Sequence, residues 1–352
     1  EVRDTLGIVR GPASLAGLEN LQEVQVLLLE SPRAESLRPL SGLRRARTLS
    51  IRGDMPQGTL LGLGGILNLR ELLIQESSLT TLVGLALPAR MDSIVITGSA
   101  TSDLGVLAGV SRVDRDLGLN AVRGLQSLEP LAGMTSVGSL GFSDNPDLVH
   151  IDALQQLTGL DNLFVFGNPK LEHLPDFDGV RSLQTVSIQG NPLLRNVPRF
   201  SQATRFSEVA VRGNPLLESV VFPSLSAGNS SSFPSTVFAI YENEALTQIS
   251  AAALTQLDFM LIAANPALAS TEFPQLQAVS ARMTVIMNPL LPSATLGSLL
   301  TAGVPLRKVG ANQGDVPLAS CPWTDDSYCD ESSNACAPGS DLVDCNNGYP
   351  PY

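Results

Sequence analysis

The sequence predicts a mainly β chain: a right-handed parallel β-solenoid of about 14 coils of about 23 residues, with a small disulfide-stapled C-terminal tail. Three observations predict it. A phrase of the form apolar-x-apolar-x-Gly-Asn-Pro-x-Leu recurs, with its asparagine at Asn145, Asn168, Asn191, Asn214, Asn243, Asn265 and Asn288, in steps of 23, 23, 23, 29, 22 and 23 residues. Two apolar columns keep nearly the same step through the rest of the chain. All four cysteines, Cys321, Cys329, Cys336 and Cys345, fall in the last stretch.

Each coil follows from its residues. An apolar-x-apolar alternation is a short strand with one face buried. The proline after the asparagine has no N–H to donate, so the strand ladder stops there. A glycine before the asparagine permits a sharp bend. Stacked coils then place each asparagine above the last, where its amide reaches the backbone of the next coil. The asparagines are therefore expected to form a structural ladder.

The same register extends to both ends of the chain. Counting back from Asn145, the equivalent anchors are Val122, Ser99, Ser77, Asp54, Ser31 and Gly11; Asn312 follows Asn288. Five residues before the anchors the column runs from Leu6 and Val26 through Leu163 and Val186 to Met283, broken only at Arg307. Three before, it runs from Ile8 and Leu28 through Val165 and Ile188 to Val309. Connections such as LQSLEPLAGM are leucine-rich-repeat-like and suited to a helical turn. The single 29-residue step places its surplus in SLSAGNSSSFPST, residues 224–236, a surface loop by its Gly, Ser and Pro content. Asn229-Ser230-Ser231 within it is a glycosylation sequon, meaningful only in a secretory eukaryotic setting. Residues 1–318 are read as the solenoid and 319–352 as a Cys-rich module that covers the last unpaired strand edge.

Composition narrows the function classes. Apolar residues make up 43% of the 352, which suits a core that grows coil by coil, and aromatics only 5%, as expected for aliphatic columns. The formal charge is −12, with no basic stripe of the kind that binds nucleic acid. Arg33, Arg38, Arg44, Arg45, Arg47 and Arg52 form the densest basic stretch. They read as the solvated outside of early coils, with an anion-docking patch as the other reading. No run of 18 apolar residues exists to span a membrane as a helix. Clustered cysteines point to an oxidising compartment, hence a secreted or cell-surface protein, and a start without Met fits a removed leader.

The GNPxL phrase, strongest over residues 140–294, resembles the L domains of insulin and EGF receptors. That resemblance implies a right-handed β-helix with leucine-rich character that binds protein ligands outside the cell. This chain has about twice the coils of one such domain, and its rod carries no edging disulfides. The tail CPWTDDSYCDESSNACAPGSDLVDC is similar to the second half of a calcium-binding Notch repeat, and to Cys-rich modules of secreted bacterial proteins. The Notch pattern would pair Cys321 with Cys336 and Cys329 with Cys345; four cysteines by themselves allow three connectivities.

Candidate chemistry is sparse. Asp330, Glu331, Asp341 and Asp344, with Asp325 and Asp326, crowd the tail and could supply oxygen ligands to Ca²⁺; an acidic solvated tail is the other reading. No other cofactor is expected. His150 and His173 should stack on adjacent coils, where a shared metal would lack a third ligand. The same column continues as Asn196, Ser219 and Gln248, a plain polar ladder. No catalytic set aligns, since the only lysines are Lys170 and Lys308 and every cysteine is in the tail.

The outward strand columns are mostly small and polar. Phe164 and Phe166 interrupt them, and Tyr241, Leu261 and Ile286 form a second apolar island. Exposed patches of this kind mark contacts unless a loop covers them. The reading is an extracellular recognition or adhesion protein that binds a protein or glycan on the faces of the solenoid and is not an enzyme. The alternatives are a self-associating structural component of the envelope and a β-helix carbohydrate-active enzyme. No nucleic-acid partner and no transmembrane segment are expected.

Overall fold

Strands form wherever the alternating apolar pairs occur, and each pairs in parallel with the strand one coil away. The computed structural model describes residues 4–55, 58–228, 236–292 and 306–310. These belong to two compact units, Glu1–Val180 and Arg181–Tyr352. Each is a parallel β-solenoid.

In the first unit the strands are β1 (Thr5–Val9), β2 (Glu23–Glu30), β3 (Arg45–Arg52), β4 (Glu71–Gln75), β5 (Arg90–Thr97), β6 (Arg112–Asn120), β7 (Ser136–Ser143) and β8 (Gly159–Phe166). They pair in sequence order, all parallel. Short 3₁₀ turns at Arg38–Gly42, Gly105–Gly109, Glu129–Leu131 and Asp152–Leu154 lie in the connections, where a helical turn was expected. Beyond the first coil the core columns are fully buried, as at Leu49, Ile51, Leu72, Ile74, Leu140 and Leu163. Each such side chain contributes roughly 1.5–3 kcal/mol by leaving water.

The register of the second coil differs from the sequence expectation. Leu27 and Leu29, not Val26 and Leu28, stack on Leu49 and Ile51 and are fully buried. The anchor of that coil is therefore Pro32 in place of Ser31. In EVQVLLLE both alternating sets are apolar at the end of the strand, so hydrophobicity alone does not choose a face.

A backbone feature marks the end of every strand of this unit. The residue just before each anchor has φ between +40° and +75°: Arg10, Ser31, Gly53, Glu76, Gly98, Ala121, Asp144 and Gly167 in the first unit. Its N–H donates to the carbonyl that ends the next coil's strand, as from Ala121 to Ser143 at 2.7 Å and from Asp144 to Phe166 at 2.8 Å. The expected Gly bend is thus present, but the stack imposes it on other residues as well.

The second unit contains β9 (Thr185–Gln189), β10 (Arg205–Phe206), β11 (Glu208–Arg212), β12 (Ser219–Val221), β13 (Ala227–Gly228), β14 (Val237–Tyr241), β15 (Gln248–Ser250), β16 (Gln256–Ala263), β17 (Ser270–Glu272), β18 (Ala278–Ile286) and β19 (Leu306–Gly310). Strands β9, β11, β14, β16, β18 and β19 carry the solenoid register. Strands β12, β15 and β17 form a separate three-stranded parallel sheet. The aliphatic column expected here is supplemented by phenylalanine. Phe238 packs edge-to-face on Phe222 at 6.2 Å and on Phe273 at 5.8 Å. Asn312, the sequon at Asn229 and the solenoid–tail boundary at 318 lie outside the described residues.

Candidate functional site

The asparagines are wholly buried and make one repeated bond pattern in each unit. In the second unit the Asn191 N–H donates to Asn214 Oδ1 at 3.0 Å, and Asn214 Nδ2 donates to the carbonyls of Ile188 and Arg212 at 3.1 and 3.0 Å. The pattern repeats through Asn243, Asn265 and Asn288. In the first unit Asn168 Oδ1 accepts from the Asn145 N–H at 3.1 Å, and Asn145 Oδ1 from the Val122 N–H at 2.9 Å. Earlier coils use hydroxyls instead: Ser99 Oγ donates to the Ser77 carbonyl and Thr101 Oγ1 to that of Leu79. These groups satisfy buried backbone and leave nothing pointing at a ligand.

The outward faces are the surfaces left for binding. Phe164 and Phe166 are half-buried, with ring centroids 6.1 Å apart and tilted by 48°. They pair in register with Gly141 and Ser143, which offer little cover. Tyr241 is half-buried, with the Arg212 guanidinium 5.4 Å from its ring centroid. Arg212 also pairs with Glu242 at 3.2 Å. The Tyr241 hydroxyl and then Glu242 hold the guanidinium pKa above its ordinary value. Leu261 is half-buried.

Ile286 does not belong to an exposed island, because it is fully buried, as is Ala263 beside it in register. Alternation fixes which face a side chain leaves by, and says nothing of what lies over that face. Phe259, absent from the sequence reading, is instead 39% exposed. It follows a register shift after Leu257 and sits beside half-buried Val237. The signal was the column six before the anchor, which shares the parity of the outward columns.

The edge two residues past the anchor differs between the units. In the second unit Leu193, Leu216 and Leu290 stand there, 39%, 36% and 50% exposed. In the first unit the same position holds Asp147 and Lys170, paired at 2.7 Å. Lys170, and then the Gly124 N–H, pull the Asp147 carboxyl below the usual carboxylate range.

His150 and His173 lie on adjacent coils as expected, joined by a parallel bridge, with ring centroids 6.4 Å apart. His173 Nε2 is 2.9 Å from Asp152 Oδ2. Among the described residues no group of three or more His, Cys, Asp and Glu is placed to hold a metal. The calcium set Asp330, Glu331, Asp341 and Asp344 and the four cysteines lie outside the described residues. No helix of the described chain is long and apolar enough to cross a membrane.

The basic stretch is exposed throughout. Arg45 pairs with Glu23, Arg47 with Asp92 and Arg52 with Glu76, at 3.1–3.4 Å. Compared with known proteins, the chain matches no family model and no curated protein, and what its structure shows is the fold, a parallel β-solenoid.

Proposed function

We propose that this is an extracellular or cell-surface recognition protein that binds a protein or glycan on the outward faces of its parallel sheets, without chemistry of its own. The observation that carries the reading is the apolar surface around Phe259, with Leu261 two residues along the same strand, Val237 its register partner on β14 and Tyr241 further along β14. An aromatic side chain left partly in water on a strand face gains little structurally, and aromatic residues are favoured interface anchors. Phe164 and Phe166 make a comparable patch in the first unit. The GNPxL coil, which resembles receptor L domains, supports the same class of function, and export fits the clustered cysteines.

The test is a binding screen of the full chain against envelope glycans and cell-surface proteins, followed by two variants. Phe259→Ser, and Phe164→Ser with Phe166→Ser, should keep the circular dichroism spectrum and weaken a ligand found in the screen about tenfold or more. Unchanged affinity in both variants would overturn the reading.

A self-associating structural component is the second reading. It is favoured by the exposed leucines at positions 193, 216 and 290, which repeat on one edge of the second unit. Sedimentation separates the two: Leu193→Lys with Leu216→Lys would dissolve an oligomer if one forms along that edge.

A further inference from the structure

Residues 33–123 carry eleven arginines against eight acidic residues, in a chain whose formal charge is −12. Six of them, Arg44, Arg45, Arg47, Arg70, Arg90 and Arg112, lie at the beginnings of strands β3 to β6. Arg90 and Arg112 are direct partners across β5 and β6. Arg70 follows Arg47 one coil on, its N–H bonded to the Arg47 carbonyl at 2.8 Å. Like charges set opposite one another in a sheet are destabilising, so this placement has no structural return.

The local carboxylates compensate only in part. Asp114 serves both Arg90 and Arg112, at 2.7 and 2.6 Å, and these two bonds hold its carboxyl below the usual range. Arg47 reaches across two coils to Asp92 and Arg115 across two coils to Glu71. Arg70 donates to the Arg90 carbonyl at 3.3 Å and has no carboxylate partner among the described residues. The paired guanidinia remain more than half exposed, 53% to 67%, so their outer N–H donors face solvent.

We propose that this array binds a linear polysaccharide bearing sulfate esters, laid along the stacking direction. Successive coils are about 4.8 Å apart, so the guanidinia form a row that repeats on the scale of a polymer rather than a pocket for one small anion. Guanidinium forks match tetrahedral oxyanions. The nearby carboxylates repel a dianion more than a monoanion, which favours a sulfate ester over a phosphate monoester. The first aromatic residue in the chain is Phe142, so the array has no stacking platform for unpaired bases. It also presents no helix to a duplex groove and no exposed aromatic wedge for a lipid surface.

The probe is dextran sulfate, titrated calorimetrically into the full chain. Neutral dextran, a DNA duplex of equal charge and vesicles containing phosphatidylglycerol serve as the other arms. Dextran sulfate should bind, and its affinity should fall roughly tenfold between about 0.05 and 0.2 M salt, as a few charge contacts require. Arg70→Gln should weaken it about threefold and Arg70→Gln with Arg112→Gln about tenfold, with the melting temperature held. Arg70→Gln alone suffices if the double variant melts early, because no ion pair is lost. Arg195→Gln in the second unit should leave affinity unchanged. No binding of dextran sulfate, equal affinity of the Arg70 variants, or equal or tighter binding of the duplex or the vesicles would overturn the proposal.

Discussion

At the scale of single residues, the buried amide and the left-handed turn dominate. Replacing Asn214 with Ala removes the acceptor for the Asn191 N–H and the donor for the Ile188 carbonyl, both inside the core. Each orphaned group costs about 1–3 kcal/mol. The expected outcome is a loss of at least that size in urea unfolding. The turn position gives a pair of opposite effects. Gly213 has φ +62°, and a Cβ there meets nothing closer than 3.8 Å, so Gly213→Ala adds conformational strain without a clash. It should destabilise by about 1 kcal/mol. Ala121, at φ +51°, already carries that strain. Ala121→Gly relieves it against the entropy cost of glycine, and a neutral effect or a gain of up to about 1 kcal/mol is expected. Equal destabilisation by both substitutions would contradict this account.

At the scale of elements, the second strand tests which apolar set faces the core. Leu27 is fully buried and Leu28 only half-buried, one residue apart on the same strand. Leu27→Ala should cost about 2–5 kcal/mol, as core truncations do. Leu28→Ala should cost well under half as much. If the two are equal, the strand slips between registers. The reason the sequence left this strand open is specific. Val24, Val26 and Leu28 make one apolar set and Leu27 and Leu29 the other, whereas in ELLIQ and TVSIQ the polar residues at both ends belong to one alternating set. Ser31 settles the matter through its φ of +40°, because among the described non-glycine residues of the first unit only those before an anchor take that conformation.

At the scale of the whole molecule, acid should act through a scattered set of carboxylates. Asp103, Asp114, Asp147 and Asp258 all have pKa values lowered in the fold, by bonds from Gly105, Arg112, Lys170 and Ser280 respectively. A lowered folded-state value means that the stabilisation is complete above the unfolded-state pKa of about 3.9. It is lost as pH falls through the lower folded-state values. Melting temperature should therefore be flat with respect to these groups from neutral pH to about 4, then drop. Asp114→Asn should flatten part of that drop, since its two arginine bonds are the cause.

The sequence by itself determined the period, the two core columns over most of the chain and the identity of the ladder asparagines. It could do so because a stacked coil repeats one environment, and one environment selects one residue type again and again. Tertiary structure decided what repetition does not reach. The ladder bond to the next coil holds Glu76, Ala121 and Asp144 in a left-handed conformation that their own chemistry disfavours. The outward columns share a parity, yet Ile286 is buried and Phe259 exposed, because alternation fixes the face a side chain leaves by and not what lies over that face. Arg47 and Arg115 find partners two coils away, a pairing that depends on how long side chains lie along the stack.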